Sequence, residues 1–199
     1  VPEIERFAMV ERHIISKRFA SNCENRAIII SDDESICIML GEEDHIRMQV
    51  LLGGFQLEVA YKIANDIDTI LCGGLDIAFD DRIGFLTECP TNLGTGLRAS
   101  VMLHLPLIEG NREIADISES ISKIGLTVRG MYGEGTKALA SLYQVSNQVT
   151  LGITEENAID NLKIIVDQII QKERNYRKEL NGLKLEDRCM RAYGVLKNA

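Results

Sequence analysis

The chain has 199 residues, 45% of them hydrophobic, with 22 Lys and Arg against 30 Asp and Glu for a net charge of −8. That composition is too apolar for a disordered chain, and the length is enough to bury a core. Net acidity excludes non-specific binding to nucleic acid or to an anionic membrane, both of which need a positive field.

The N-terminus, Val1-Pro2-Glu3-Ile4-Glu5-Arg6, is charged and has no signal-peptide core. No apolar run approaches the roughly 18 residues of a membrane span. Cys23, Cys37, Cys72, Cys89 and Cys189 are scattered, with no CxxC or Cys/His cluster. They predict no metal site and read as reduced cytoplasmic thiols.

In chain order, Ile4, Phe7, Ala8 and Ile14 predict a helix over 3–14. Residues 26–30 and 36–40 are β-branched runs around the turn Ser31-Asp32-Asp33-Glu34, which predicts an antiparallel hairpin continued by 45–52. Residues 55–71 read as a helix stopped by Gly73-Gly74. A loop-rich stretch to Gly96 precedes a strand over 99–105, a helix over 112–123, and strands over 126–131 and 142–149. Thr154 is a fitting N-cap, with Glu155 and Glu156 in the first turn, for a helix to about Leu180. Ile159, Leu162, Val166 and Ile169 carry its stripe, and a last helix covers 184–197. Strands come in neighbouring runs and do not alternate with helices, so the expected class is α+β with an antiparallel sheet flanked by helices.

Four segments are polar where folding alone does not demand it. Glu42-Glu43-Asp44-His45-Ile46-Arg47 sets three acids before a His and an Arg, and an extended backbone would put Glu43, His45 and Arg47 on one face. The bland alternative is a solvated charge run. Cys89-Pro90-Thr91-Asn92-Leu93-Gly94-Thr95-Gly96-Leu97-Arg98 has a proline restricting the cysteine, a Thr91 hydroxyl able to bond its sulfur, and two glycines permitting close approach to a ligand. A cysteine alone is as readily a small buried hydrophobe. Arg129-Gly130-Met131-Tyr132-Gly133-Glu134-Gly135 follows a strand with a glycine-rich loop bearing a carboxylate, and the chain contains no P-loop. His13 closes the first helix, where a structural or surface histidine is the default.

These segments, in this order, resemble the phosphagen (guanidino) kinases. Glu42–Arg47 is similar to their acidic motif, Cys89–Thr95 to their active-site cysteine signature, and Arg129-Gly130 with Gly133-Glu134 to their late Arg/Glu loop. The resemblance spans about residues 5–180. Val10-Glu11-Arg12-His13-Ile14-Ile15-Ser16, Met102-Leu103-His104-Leu105-Pro106 and Tyr143-Gln144-Val145-Ser146-Asn147-Gln148 resemble the bacterial protein-arginine kinase branch more than creatine or arginine kinases.

The resemblance implies a phosphagen kinase, glutamine synthetase-like catalytic domain over 1–180, incomplete at its N-terminus, with 181–199 starting a helical C-terminal domain. It implies transfer of the ATP γ-phosphoryl group, with Mg²⁺, to arginine in proteins. Glu43, as base, and Glu134 would grip the guanidinium, and Cys89 as thiolate would polarise it. Arg47, Arg98 and Arg129 would clamp phosphates, and His13 would contact nucleotide. The backbone of Arg98, Ala99, Ser100, Val101 and Met102, and of Arg129, Gly130, Met131, Tyr132, Gly133 and Glu134, would bind ATP. Implied partners are arginine-bearing proteins, a zinc-binding activator and a Clp-type protease chaperone, and a homodimer is compatible. The family's Ser-x-Arg-x-Arg segment does not occur here, so the chain is expected to be an internal fragment, inactive alone. The alternatives are a small-molecule guanidino kinase and a non-catalytic domain that binds nucleotide or phosphoarginine.

Overall fold

Apolar, β-branched runs make the first sheet. In the computed structural model, which describes residues 1–22, 24–130, 138–180 and 182–198, Ala27–Ile30 (β1), Ile36–Leu40 (β2) and Ile46–Val50 (β3) pair antiparallel in the order β1-β2-β3. The register sets Ile28 and Arg47 on either side of Met39, and Ile30 and Gln49 on either side of Cys37. Residues directly opposite in such a ladder share a face. One face therefore carries Ile28, Ile30, Cys37, Met39, Arg47 and Gln49.

The helices Glu3–Glu11 (α1) and Lys17–Ser21 (α2) supply Val10, Phe19 and Ala20, which cluster with Ile14, Ile15, Cys37 and Met39 as the core here. Burial pushes the Cys37 thiol pKa up, against the opposing charge of Arg47. The first helix stops at Glu11, short of the expected residue 14. His13, at φ 61°, donates its N–H to the Val10 carbonyl, and Ile14 N–H reaches the Met9 carbonyl. That is a Schellman closure with histidine where glycine is usual.

The chain divides into two units, residues 1–99 with 147–160 and residues 100–146 with 161–199. The first continues with Leu57–Gly74 (α3), Phe79–Asp80 (β4), Gly84–Phe85 (β5) and a 3-10 turn at Pro90–Asn92. Gly73 and Gly74 form the last turn of α3 instead of stopping it, because Leu75 N–H still reaches the Leu71 carbonyl at 2.9 Å. The rings of Phe79 and Phe85 meet edge to face, 5.2 Å apart, and Phe85 bridges to Gly94.

The second unit holds Ser100–His104 (β6), Pro106–Gly110 (α4), Ile114–Ser122 (α5), Leu126–Gly130 (β7), Leu142–Asn147 (β8), most of Glu155–Glu179 (α6) and Gly182–Asn198 (α7). Its strand order is β6-β8-β7, with β6 and β8 antiparallel. Thr154 caps α6 as expected, its hydroxyl accepting from Asn157 N–H at 3.2 Å, and Ile159, Leu162, Val166 and Ile169 are buried. The short α4 was not anticipated. Its first N–H groups, those of Leu107 and Ile108, donate to the buried Glu173 carboxylate at 3.2 and 3.0 Å. That cap comes from a distant helix, so local sequence does not announce it.

Candidate active site

The three adjacent acids of the Glu42–Asp44 run do different things. The Glu42 side chain is only 4% exposed. It accepts from the Ser16 hydroxyl at 2.6 Å, Glu43 N–H at 2.7 Å and the Arg47 guanidinium at 3.0 Å. Ser16 also caps α2 by accepting from Phe19 N–H at 3.0 Å. Burial alone would raise the Glu42 pKa, but the Ser16 bond, the Arg47 charge and bond, and the Glu43 N–H outweigh it and hold it below the usual glutamate value.

A depressed folded pKa has a definite sign. Glu42 contributes fully above its unfolded value, and that stability is lost as pH falls through the lower folded value. Glu42→Gln is expected to flatten the acid limb of a stability-against-pH curve from denaturant titrations, and to cost about 1–3 kcal/mol at neutral pH.

Asp44 points the other way along the chain. One carboxylate oxygen accepts from Cys89 N–H at 3.2 Å, and the other from the Asn92 amide at 2.7 Å. Between these two anchored acids, the Glu43 side chain is exposed, and among the described residues none bonds its carboxylate. Residues 42–45 form a bend and β3 starts at Ile46, so Glu43, His45 and Arg47 do not share a strand face.

Cys89 is extended at φ −86° and ψ 117°, as a residue before proline should be. Its sulfur lies 3.1 Å from the Thr91 hydroxyl, the expected partner. The loop around it is tied down on several sides. The Thr87 hydroxyl donates to the Cys89 carbonyl at 2.7 Å. The Thr150 hydroxyl donates to the carbonyls of Thr91 and Leu93 at 3.1 and 2.8 Å. Buried Asn147 accepts from Ala99 N–H at 2.7 Å and donates to the Leu97 carbonyl at 2.9 Å, which fixes the segment carrying exposed Arg98.

Gly94 is required by the packing of the chain itself. At φ +105°, a Cβ there would sit 2.3 Å from the Thr150 carbonyl oxygen.

His13 is held by its backbone, because the Gln49 amide donates to the carbonyls of His13 and Ile14 at 2.8 and 2.5 Å. In the second unit, Ser100, Val101 and Met102 lie on β6, and the Ser100 hydroxyl accepts from the Gln144 amide at 2.9 Å. Arg129 and Gly130 end β7, with β8 between the two strands. Met131, Tyr132, Gly133 and Glu134 lie outside the described residues. Among the described residues, no group of three or more His, Cys, Asp or Glu side chains is arranged to hold a metal.

The structure thus adds Ser16, Gln49, Asp44, Asn92, Asn147 and Thr150 to the residues the sequence pointed to. All six act by hydrogen bonds to segments far away in the chain. Asp44 and Asn92 stand in segments that the sequence singles out, but their partners lie too far along the chain to be read from it.

Residues 1–176 match the family described as ATP:guanido phosphotransferase, C-terminal catalytic domain. The chain belongs to the ATP:guanido phosphotransferase family. Curated relatives named protein-arginine kinase are 48% identical in Clostridium tetani and 51% identical in Desulforamulus reducens, each over 98% of this chain. The chain spans 58% and 56% of the length of those two relatives. Among solved structures, the duplicated taurocyamine kinase of Schistosoma mansoni with bound transition state analog components matches at TM-score 0.74 and 31% identity, over 88% of this chain and 26% of that one. Lombricine kinase matches at TM-score 0.75 and 26% identity, over 91% of this chain and 53% of that one. The phosphagen kinase catalytic fold expected from the sequence is the fold of this guanidino kinase domain, and membership in the family implies use of ATP. Among the described residues, no helix is long and apolar enough to cross a membrane.

Proposed function

We propose that this chain is the catalytic part of a protein-arginine kinase, which moves the ATP γ-phosphoryl group to the guanidinium of an arginine in a protein. The observation that carries the reading is the exposed Glu43 carboxylate on a segment bonded, through Asp44, to the Cys89 loop. The names of the curated relatives support the choice of a protein acceptor.

The acceptor makes specific demands. A guanidinium has a pKa above about 12 and delocalised lone pairs, so a nitrogen becomes nucleophilic only as it loses a proton. In this reading Glu43 takes that proton, the Cys89 thiolate polarises the cation, and Glu134 is the second carboxylate of the grip. When bound, ATP with Mg²⁺ supplies the phosphoryl group. The donors present suit it: Arg98 is exposed at the strand entrance, and the Arg47 side chain is 42% exposed while its guanidinium pairs with Glu42. With Arg129 they would neutralise phosphate charge, which is most of what phosphoryl transfer asks of a protein. His13 and the backbone of 98–102 and 129–134 would seat the nucleotide. The ion would keep mostly phosphate and water ligands.

On this reading residues 1–180 are the catalytic domain and 181–199 start a helical one. The partners are arginine-bearing proteins, with a zinc-binding activator and a Clp-type protease chaperone, in the cytoplasm. The four described cysteines, all free thiols, fit that compartment.

The test uses a longer protein, this chain completed to the length of its curated relatives, with ATP, Mg²⁺ and a protein substrate. Acid-labile phosphoarginine is expected, and acid-stable phosphoserine or no product from folded enzyme overturns the reading. Likeness to taurocyamine and lombricine kinases keeps a small-molecule acceptor as the second reading. Phosphorylation of free guanidino compounds with none of protein would favour it.

The left-handed backbone of His13 gives a separate check. That conformation costs a non-glycine residue about 1–2 kcal/mol. His13→Gly is expected to raise the melting temperature slightly while weakening ATP binding by calorimetry. A loss of stability with unchanged ATP affinity would make His13 structural.

A further inference from the structure

We infer that Asp44 is a positioning residue that locks the Cys89 loop to the segment bearing Glu43, so that carboxylate and sulfur are presented as one rigid pair. The inference rests on the kinase reading for its purpose, though not for its geometry.

Three observations lead to it. The bonds from Cys89 N–H and the Asn92 amide land on different oxygens of one carboxylate, 3.2 and 2.7 Å away, so Asp44 spans the turn that follows the cysteine. Both bonds join segments more than 40 residues apart, |i−j| being 45 and 48. Glu42, on the other side of Glu43, is anchored to Ser16 and Arg47. The central acid is therefore pinned through both chain neighbours while its own carboxylate stays open. A charged acceptor gives the stronger class of hydrogen bond. Two such bonds at one turn hold the reacting groups against the small displacements that phosphoryl transfer tolerates poorly. Thr150 and Asn147 tie down the far side of the same loop, at Thr91, Leu93 and Leu97, but nothing there bonds the Glu43 segment. Asp44 alone of these groups joins the two.

Site-resolved alkylation of this chain with iodoacetamide, followed by peptide mass spectrometry, tests the clamp without requiring activity. Exposed Cys72 and Cys189 are internal references in each sample. Asp44→Ala is expected to speed Cys89 alkylation about ten-fold relative to Cys72, the change that follows loss of bonds closing a loop. Asp44→Asn keeps one acceptor, for Cys89 N–H, but sets a second amide donor against the Asn92 amide and loses that bond. Asn92→Ala loses the same bond and leaves Asp44 in place, so both variants are expected to fall between wild type and Asp44→Ala, which keeps the inference testable if Asp44→Ala does not fold. A Cys89 rate within two-fold of wild type in both alanine variants overturns it.

In the longer protein, Asp44→Ala should lower kcat about 100-fold with KM for ATP within two-fold, and Asp44→Asn, which keeps one of the two bonds, should recover part of the loss. An unchanged kcat overturns the inference and leaves the kinase reading standing. If the wild-type protein makes no phosphoarginine, the kinase reading fails, and the alkylation pattern still decides the clamp.

Discussion

Glu43→Gln in the longer protein is expected to lower kcat by about 10²–10⁴, the usual range for loss of a general base, with folding and melting temperature unchanged. The split follows from surroundings and not from sequence, because Glu42, Glu43 and Asp44 are three carboxylates in a row. Glu42 is buried under three hydrogen bonds, and Asp44 carries two that hold another loop. Glu43 is exposed and, among the described residues, its carboxylate is engaged by none. A carboxylate left open beside a held cysteine loop is available to a guanidinium, and its replacement by an amide of the same shape costs the fold nothing. Glu42→Gln should show the reverse, a stability loss exceeding its direct effect on catalysis. Measuring kcat and denaturation midpoints for both variants separates the roles. A Glu43→Gln enzyme within ten-fold of wild type would remove Glu43 as the base.

The fold was largely legible because its strands and long helices announce themselves by period. Residues 27–30 and 36–40 are apolar, β-branched runs around a polar turn, which is enough to fix the hairpin, and 46–50 continues it. The α6 stripe keeps helical spacing through Ile159, Leu162, Val166 and Ile169. The failures occur where a distant group decides. The turn over Pro106–Gly110 is capped by Glu173, and the end of α1 is set by a histidine in a conformation that glycine usually takes.

The site divides in the same way. Glu43, Cys89 and Thr91 could be picked out because unusual residue types stand together. Asp44 was read as one more acid in a charge run, since its partners lie beyond Thr87 and only folding brings them near. The extended loop face imagined for Glu43, His45 and Arg47 failed because a bend, and not a strand, precedes Ile46.

Gly94 shows how an obvious motif residue can have an unobvious reason. A glycine in the Cys89 loop invites the idea of room for a ligand, and this one makes room for the chain itself. A Cβ at Gly94 would lie 2.3 Å from the Thr150 carbonyl oxygen and 3.0 Å from Leu151 Cα, and φ is +105°. Both obstacles are backbone, and the Thr150 hydroxyl and main chain are committed to the same loop, so neither can step aside cheaply. Gly84 faces the same crowding from the other side, since a Cβ added there would lie 2.4 Å from the Gly94 carbonyl oxygen. Adding backbone strain of about 1–3 kcal/mol to overpacking of similar size, Gly94→Ala is expected to destabilise by about 2–6 kcal/mol. For a chain of this length that lowers the melting temperature by roughly 4–24 °C. Gly96→Ala is the control: its φ is +62° and the nearest atom to a new Cβ is 3.8 Å away, so only the conformational cost of about 1–2 kcal/mol applies. Equal losses in the two variants, read from thermal melts, would mean that the collision is relieved by loop movement. Cys89 alkylation should then speed up in Gly94→Ala alone, because the loop that yields is the one that holds the sulfur.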